Sequence, residues 1–149
     1  MNFFIKLLAT WGGSGYSPFA SGTVGTLAAI PFYIGLARLP LPLYLLTLSA
    51  FFCLACWVSG KAEILFGEKD SGKIVIDEVV GYLVTMTALP LDWRYMVAGF
   101  FLFRFFDIVK PPPAGWFDRQ LKNGYGVVLD DVAAGVYAWL CLFVLARAL

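Results

Sequence analysis

Residues 95–109 read Tyr95-Met96-Val97-Ala98-Gly99-Phe100-Phe101-Leu102-Phe103-Arg104-Phe105-Phe106-Asp107-Ile108-Val109, and Lys110-Pro111-Pro112-Pro113 follows directly. The stretch is an apolar helix candidate, stopped by proline, that carries one cation and one anion. A carboxylate beside hydrocarbon is costly unless something cationic or protic meets it. Arg104 and Asp107 lie three apart on one helical face and can simply pair with each other. That structural reading stays open beside a functional one. Lys110 at the helix exit has an ordinary explanation too, in snorkelling towards water.

Outward from this segment the chain has the same character. Apolar residues make up 60% and charged residues 14% of 149, with a mean hydropathy of +0.79. Soluble domains run at about 45–50% and about 25%. The composition therefore predicts one integral membrane domain over residues 1–149. A net charge of +1 provides no broad basic field, which argues against nucleic acid as a partner. Three cysteines, Cys53, Cys56 and Cys141, all in apolar runs, give no disulfide framework. There is no histidine, so Ser-His-Asp hydrolysis and phosphohistidine chemistry lose their usual base. The N-terminus does not read as a signal peptide, because Lys6 breaks its short apolar run.

Proline, glycine and charge divide the chain into an all-α, multi-helix membrane protein with about four to five short membrane helices. Residues 2–9 form a short interfacial helix, and 11–23 a Gly/Ser/Pro loop. Membrane segments are expected at 24–37, 43–58, 74–89, 95–109 and 132–146. The turn at 38–42, the polar stretch at 60–72 and the loop around Asn123-Gly124-Tyr125-Gly126 separate them. A bilayer core of about 30 Å takes roughly 20 helical residues, so segments this short either run past their charged ends or include a re-entrant pair.

If the segments alternate, loops 1–23, 59–77 and 108–131 share one side. That side holds Lys6, Lys61, Lys69, Lys73, Lys110, Arg119 and Lys122; the other holds Arg38, Arg94 and Arg147. The positive-inside rule makes the first side cytoplasmic. Most of the ten acidic residues then collect at one face: Asp77-Glu78, Asp107, Asp118 and Asp130-Asp131. Carboxylates gathered in so apolar a chain imply a shared partner, and a divalent metal ion suits them. Asp77-Glu78 and Asp130-Asp131 each open an expected helix, so capping and dipole compensation are the competing explanation. One carboxylate explains a cap; two in a row, twice, is an excess. Asp118, beside Arg119 and Lys122, has a solvated face as its alternative. The loop Ser17-Pro18-Phe19-Ala20-Ser21-Gly22-Thr23-Val24-Gly25-Thr26 combines small residues and hydroxyls ahead of a helix N-terminus. That suits an anion cradle as well as an ordinary membrane turn with an N-cap.

Some patterns mislead. Cys141 to Arg147 has the spacing of a Cys-x5-Arg phosphatase signature but lacks its glycine-rich turn, and it falls at the opposite face. The Trp and Tyr content, with Trp11, Trp57, Trp93, Trp116 and Trp139 among it, reads as an interfacial belt and not a sugar-stacking platform. Glu63, Glu68 and Asp70 sit in a polar loop and take no role. A membrane phosphoalcohol transferase would also gather Asp and Mg²⁺, but its Asp-Gly…Ala-Arg…Gly…Asp…Asp spacing is absent. An ion-conducting helical protein would hold its acids near the bilayer midplane rather than at segment ends.

Gly15-Tyr16-Ser17-Pro18-Phe19-Ala20-Ser21-Gly22-Thr23-Val24-Gly25-Thr26 and Ile74-Val75-Ile76-Asp77-Glu78-Val79-Val80-Gly81 closely resemble the bacterial phosphatidylglycerophosphatase A family. So do the segment from Phe103 to Pro113, Trp116-Phe117-Asp118-Arg119, and Gly126-Val127-Val128-Leu129-Asp130-Asp131-Val132-Ala133-Ala134-Gly135. The motifs run in the same order from about residue 11 to 146. Ser21 stands where the family often has Pro, Thr26 where Ser is common, and Asn123 where a Gly-Gly pair is usual. These departures touch loops and leave the acidic set intact.

The resemblance implies a Mg²⁺-dependent phosphatase of the bacterial inner membrane. It would hydrolyse phosphatidylglycerophosphate to phosphatidylglycerol and phosphate, with its site at the cytoplasmic face. On that reading Asp107, Asp131 and Asp118 are catalytic, and Asp77, Glu78, Asp107, Asp130 and Asp131 hold metal. Ser21, Gly22, Thr23, Thr26, Arg104 and Lys110 bind the substrate phosphate. Without histidine, the attacking group is either water activated by metal or an aspartate carboxylate.

Overall fold

A computed structural model describes residues 2–16, 21–67, 74–109 and 124–148. Among these the chain is all-α, with six α-helices: α1 (Asn2–Ala9), α2 (Ser21–Leu36), α3 (Leu41–Phe66), α4 (Ile76–Thr85), α5 (Trp93–Val109) and α6 (Gly124–Ala148). A single 3-10 turn, Ser14–Tyr16, lies between α1 and α2.

Helices α2 to α6 run alternately up and down. At one end a cavity of about 150 Å³ is lined by Tyr33 of α2 and Ala37 just after it, Leu41 and Tyr44 of α3, and Met86 and Leu89 beyond α4. At that same end of the run, the start of α5 meets the last turns of α6 around Tyr95, Leu142 and Ala146. The opposite end gathers the start of α4, the close of α5 and the early turns of α6.

Several helix bounds differ from the sequence expectation. The segment expected at 43–58 belongs to a 26-residue helix that continues through Gly60, Lys61 and Glu63. It ends only where Gly67 takes the left-handed conformation (φ 69°) and its N–H reaches the Glu63 and Ile64 carbonyls. Pro42, expected in a turn, sits in the first helical turn, where its missing N–H costs nothing. The loop expected around Gly124 is instead the opening of α6, and the loop expected to include Ser21, Gly22 and Thr23 is already helical. The segment expected at 74–89 holds a helix of ten residues, about 15 Å long and half a bilayer core. Met86 caps it, Ala88 has a positive φ of 62°, and Pro90 follows.

Short α4 is the centre of the molecule. Ile76, Val79, Val80, Tyr82 and Leu83 are fully buried, and α4 packs on α2, α3, α5 and α6. Small residues set its closest approach. A Cβ added to Gly135 of α6 would lie 2.5 Å from the Gly81 carbonyl oxygen of α4. The buried Thr85 hydroxyl donates to the Gly81 carbonyl at 2.9 Å and lies 3.4 Å from that of Gly135. Close backbone approach through glycine is how helices associate where hydrocarbon on both sides removes the hydrophobic drive.

Three tyrosines and Trp11 depart from the expected belt, and Trp116 lies outside the described residues. Tyr33, Tyr44 and Tyr82 are core residues; Tyr44 donates to the Leu83 carbonyl at 2.6 Å and Tyr82 to that of Met96 at 3.0 Å. Trp11 packs on Phe32 and Phe51 and donates to the Ala28 carbonyl at 3.1 Å. Trp57 and Trp93 are exposed, as a belt requires.

Two helices, Leu41–Phe66 and Val128–Arg147, are long and apolar enough to cross a membrane. Their outer faces present Leu45, Leu46, Leu54 and Trp57, and Val136, Leu140, Phe143 and Val144. Outward hydrocarbon of this extent, around buried carboxylates, is an arrangement for membrane association.

Candidate active site

The buried charged residues among those described are Asp77, Asp107, Asp130 and Asp131, at 6, 9, 5 and 1% exposure. They come from three helices and meet at one end of the bundle. Asp77 and Glu78 lie in the first turn of α4, whose N-cap is Val75 with no side-chain capping bond. The Val75 N–H instead donates to the Ala9 carbonyl at 2.7 Å, which ties the end of α1 to the start of α4. Asp107 lies in the last turn of α5. Asp130 and Asp131 do not open their helix, as the sequence suggested, because α6 starts at Gly124 and places both in its second turn. N-capping therefore cannot account for this pair.

One ligand atom from each of Asp77, Glu78 and Asp131 lies within 4.8 Å of the others, and the same holds for Asp107, Asp130 and Asp131. Among the described residues, Asp77 Oδ1, Glu78 Oε2, Asp131 Oδ2 and Arg104 Nε are buried without a hydrogen-bond partner. Arg104 forms an ion pair with Asp107 through Nη1 and Oδ2, as one helical face allows. Gly22, in the first turn of α2, lies against the same group. A Cβ there would stand 3.0 Å from Arg104 Nη1 and 3.1 Å from Glu78 Oε1. The N-terminus of α2 thus faces the guanidinium and the carboxylates together. The other ion pair described, Arg94 with Asp92 at 3.0 Å, sits in an exposed turn at the far end. Its guanidinium holds the Asp92 carboxyl below the usual carboxylate range.

Most expected site residues converge here: Asp77, Glu78, Asp107, Asp130, Asp131, Arg104 and Gly22. Thr26 is committed elsewhere, since its buried hydroxyl donates to the Gly22 carbonyl at 2.7 Å. Thr23 lies in the first turn of α2, partly buried. Lys110, Asp118 and the side chain of Ser21 lie outside the described residues. Gly81 and Gly135 were given no role from sequence, yet they set how closely α4 and α6 approach. Each follows an acidic pair by about one helical turn, and that spacing was the available signal.

Unpaired carboxylate oxygens crowded in a buried site are a ligand set for a hard cation, since such cations prefer oxygen ligands. An apolar helical chain that gathers carboxylates, a guanidinium and a helix N-terminus has the groups to hold a cation beside an anion, on a fold suited to membrane association. The particular family follows from comparison. The phosphatidylglycerophosphatase A family model matches residues 7–146. The chain is 44% identical over 131 residues to the phosphatidylglycerophosphatase A of Escherichia coli (strain K12), covering 87% of this chain and 76% of that one. It is 43% identical over 141 residues to the Haemophilus influenzae enzyme of the same name, covering 93% and 86%. A putative phosphatidylinositol-3-phosphatase of Bacteroides thetaiotaomicron is 40% identical over 151 residues, covering 96% and 94%. The chain belongs to the phosphatidylglycerophosphatase A family. It is a phosphoric monoester hydrolase, which removes the transferase and ion-conduction readings. No solved structure matches it.

Proposed function

We propose that the acidic centre at the α4–α5–α6 end is the catalytic site for the family's reaction, and that it works with Mg²⁺ at the cytoplasmic face of the inner membrane. As a member of the family the protein dephosphorylates phosphatidylglycerophosphate to phosphatidylglycerol. The observation that carries the site assignment is the meeting of five carboxylates with Arg104 and Gly22. We take residues 1–149 as one unit, with α2, α3, α5 and α6 as membrane segments and α4 enclosed among them.

The phosphate monoester, held at headgroup level by its lipid, enters between the α2 N-terminus and Arg104. Backbone N–H groups around Gly22 and Thr23 and the guanidinium meet its oxygens, and Ser21 and Lys110 add to them. Asp77, Glu78, Asp107, Asp130 and Asp131 would hold the metal, which when bound would supply charge neutralisation and lower the pKa of water. Asp131 or Asp107 accepts the proton from the attacking water, with Asp118 as a further catalytic residue. Phosphoryl transfer asks mainly for charge neutralisation and in-line positioning, and this site offers both.

Phosphate release by purified protein tests the assignment. Chelation should abolish hydrolysis of phosphatidylglycerophosphate and added Mg²⁺ should restore it, because clustered carboxylates repel one another when unneutralised. Undiminished turnover in excess chelator, with metal shown absent, would sink the metal assignment. A parallel arm with phosphatidylinositol 3-phosphate asks whether the substrate named for the Bacteroides relative is also taken. Faster hydrolysis of that lipid would move the preferred substrate.

The orientation has its own test. In a background free of Cys53, Cys56 and Cys141, an impermeant thiol reagent added to intact cells should label Leu39→Cys and Leu91→Cys. It should not label Tyr16→Cys. All three positions are exposed in the fold, and only the last lies at the acidic end. Labelling of Tyr16→Cys from outside would reverse the topology.

A further inference from the structure

The two carboxylate triads have one member in common. Asp131 lies within reach of Asp77 and Glu78 on one side and of Asp107 and Asp130 on the other. It is also the most deeply buried of the five, at 1% exposure, and its Oδ2 has no hydrogen-bond partner. We infer that the centre is built for two divalent cations, with Asp131 serving both. This rests on the metal-dependent phosphatase reading above and adds the number of ions and the residue that joins them.

Charge balance is the first argument. Among the described residues, five carboxylates gather around one guanidinium, that of Arg104, which is paired with Asp107. A second divalent ion brings this buried centre closer to neutrality than one does. Uncompensated charge in such surroundings is prohibitive. Coordination is the second. A small hard cation prefers six oxygens at about 2.0–2.1 Å, which puts opposite ligands about 4.2 Å apart, and it keeps several waters. Ligand atoms within 4.8 Å in each triad approach that span with small rotamer adjustments. All five carboxylates on one such ion would leave almost no position for water or phosphate. Divided into two triads, they leave each ion half its shell. The orphaned oxygens are the third argument: Asp77 Oδ1 and Glu78 Oε2 come from residues of one triad, and Asp131 Oδ2 from the residue common to both.

Mn²⁺ is the probe. Wild-type protein in a neutral detergent, dialysed against Mn²⁺, should bind two ions per chain. Its electron paramagnetic resonance spectrum should be broadened by coupling between them. Glu78→Gln should reduce the count to one and restore an uncoupled six-line signal, and Asp131→Asn should weaken both sites. If Asp131→Asn does not fold, the Glu78→Gln comparison decides alone. Two coupled ions falling to one in Glu78→Gln supports the inference. Two uncoupled ions would remove the shared role of Asp131. One ion in wild-type protein that still shows metal-dependent hydrolysis would overturn the pair and leave the phosphatase reading standing. No bound ion together with chelator-resistant hydrolysis would remove both.

Discussion

Asp131→Asn protein should insert, extract and melt much like wild type while turning over on the order of a thousandfold more slowly, a loss of about 4 kcal/mol in transition-state stabilisation. Asparagine nearly matches aspartate in volume, so packing against α4 is kept. It replaces an anionic oxygen donor by a neutral amide, which binds a hard cation poorly and accepts no proton from water. Position makes the result decisive. Asp131 lies in the second turn of α6, so loss of an N-cap cannot mimic the effect. Asp107→Asn should fall by a similar factor, although that variant also weakens the pair with Arg104. The double variant should be little worse than either single one, because members of one catalytic unit fail together. Phosphate release and thermal stability measured on the same preparations separate the alternatives. Well-folded single variants with near-normal turnover would show the cluster to be structural.

Gly135→Val should be the most damaging change in the fold. The new side chain would start 2.5 Å from the Gly81 carbonyl oxygen and about 3.1 Å from Val84 Cβ. A backbone oxygen in the middle of a buried helix cannot rotate aside, and this one also accepts the Thr85 hydroxyl. Overpacking costs about 1–3 kcal/mol where neighbours can shift, and more is expected here because backbone is the obstacle. Separating α4 from α6 would also pull Asp131 away from Asp77 and Glu78, so residual protein should be inactive. Gly35→Ala is the matched control. Nothing lies within 4 Å of its added Cβ, and alanine favours a helix by about 1 kcal/mol. Equal melting temperatures for the two variants would contradict the close approach of α4 and α6.

Much of this arrangement was legible in the chain, for reasons that particular residues make plain. Charge inside apolar sequence is rare enough that Asp77-Glu78, Arg104, Asp107 and Asp130-Asp131 stood out, and alternation of helices was enough to bring them to one end. Helix ends were harder. Lys61 and Glu63 marked a polar loop by composition, yet a helix leaving hydrocarbon needs no apolar face and continues to the left-handed Gly67. Gly124 and Gly126 resembled a turn, but α6 already includes them. The apolar run through Leu89 concealed how short α4 is, because burial among four helices demands the same residues as a membrane span. Tyr44 and Tyr82 failed as belt markers because a carbonyl inside the protein satisfies a hydroxyl as well as the interface does. The Gly81–Gly135 approach is a tertiary fact that no local pattern encodes.

The outer surface of α5 has a consequence for how substrate arrives. Phe101, Phe105, Ile108 and Val109 are exposed on the helix that carries Arg104 and Asp107. On the site assignment proposed above, acyl chains would lie along this face while the headgroup turns inward, so that a lipid would reach the carboxylates sideways without leaving its leaflet. Only inorganic phosphate has to part from the membrane. Encounter is then a two-dimensional event, set by how densely the substrate populates the leaflet rather than by any concentration in the surrounding water.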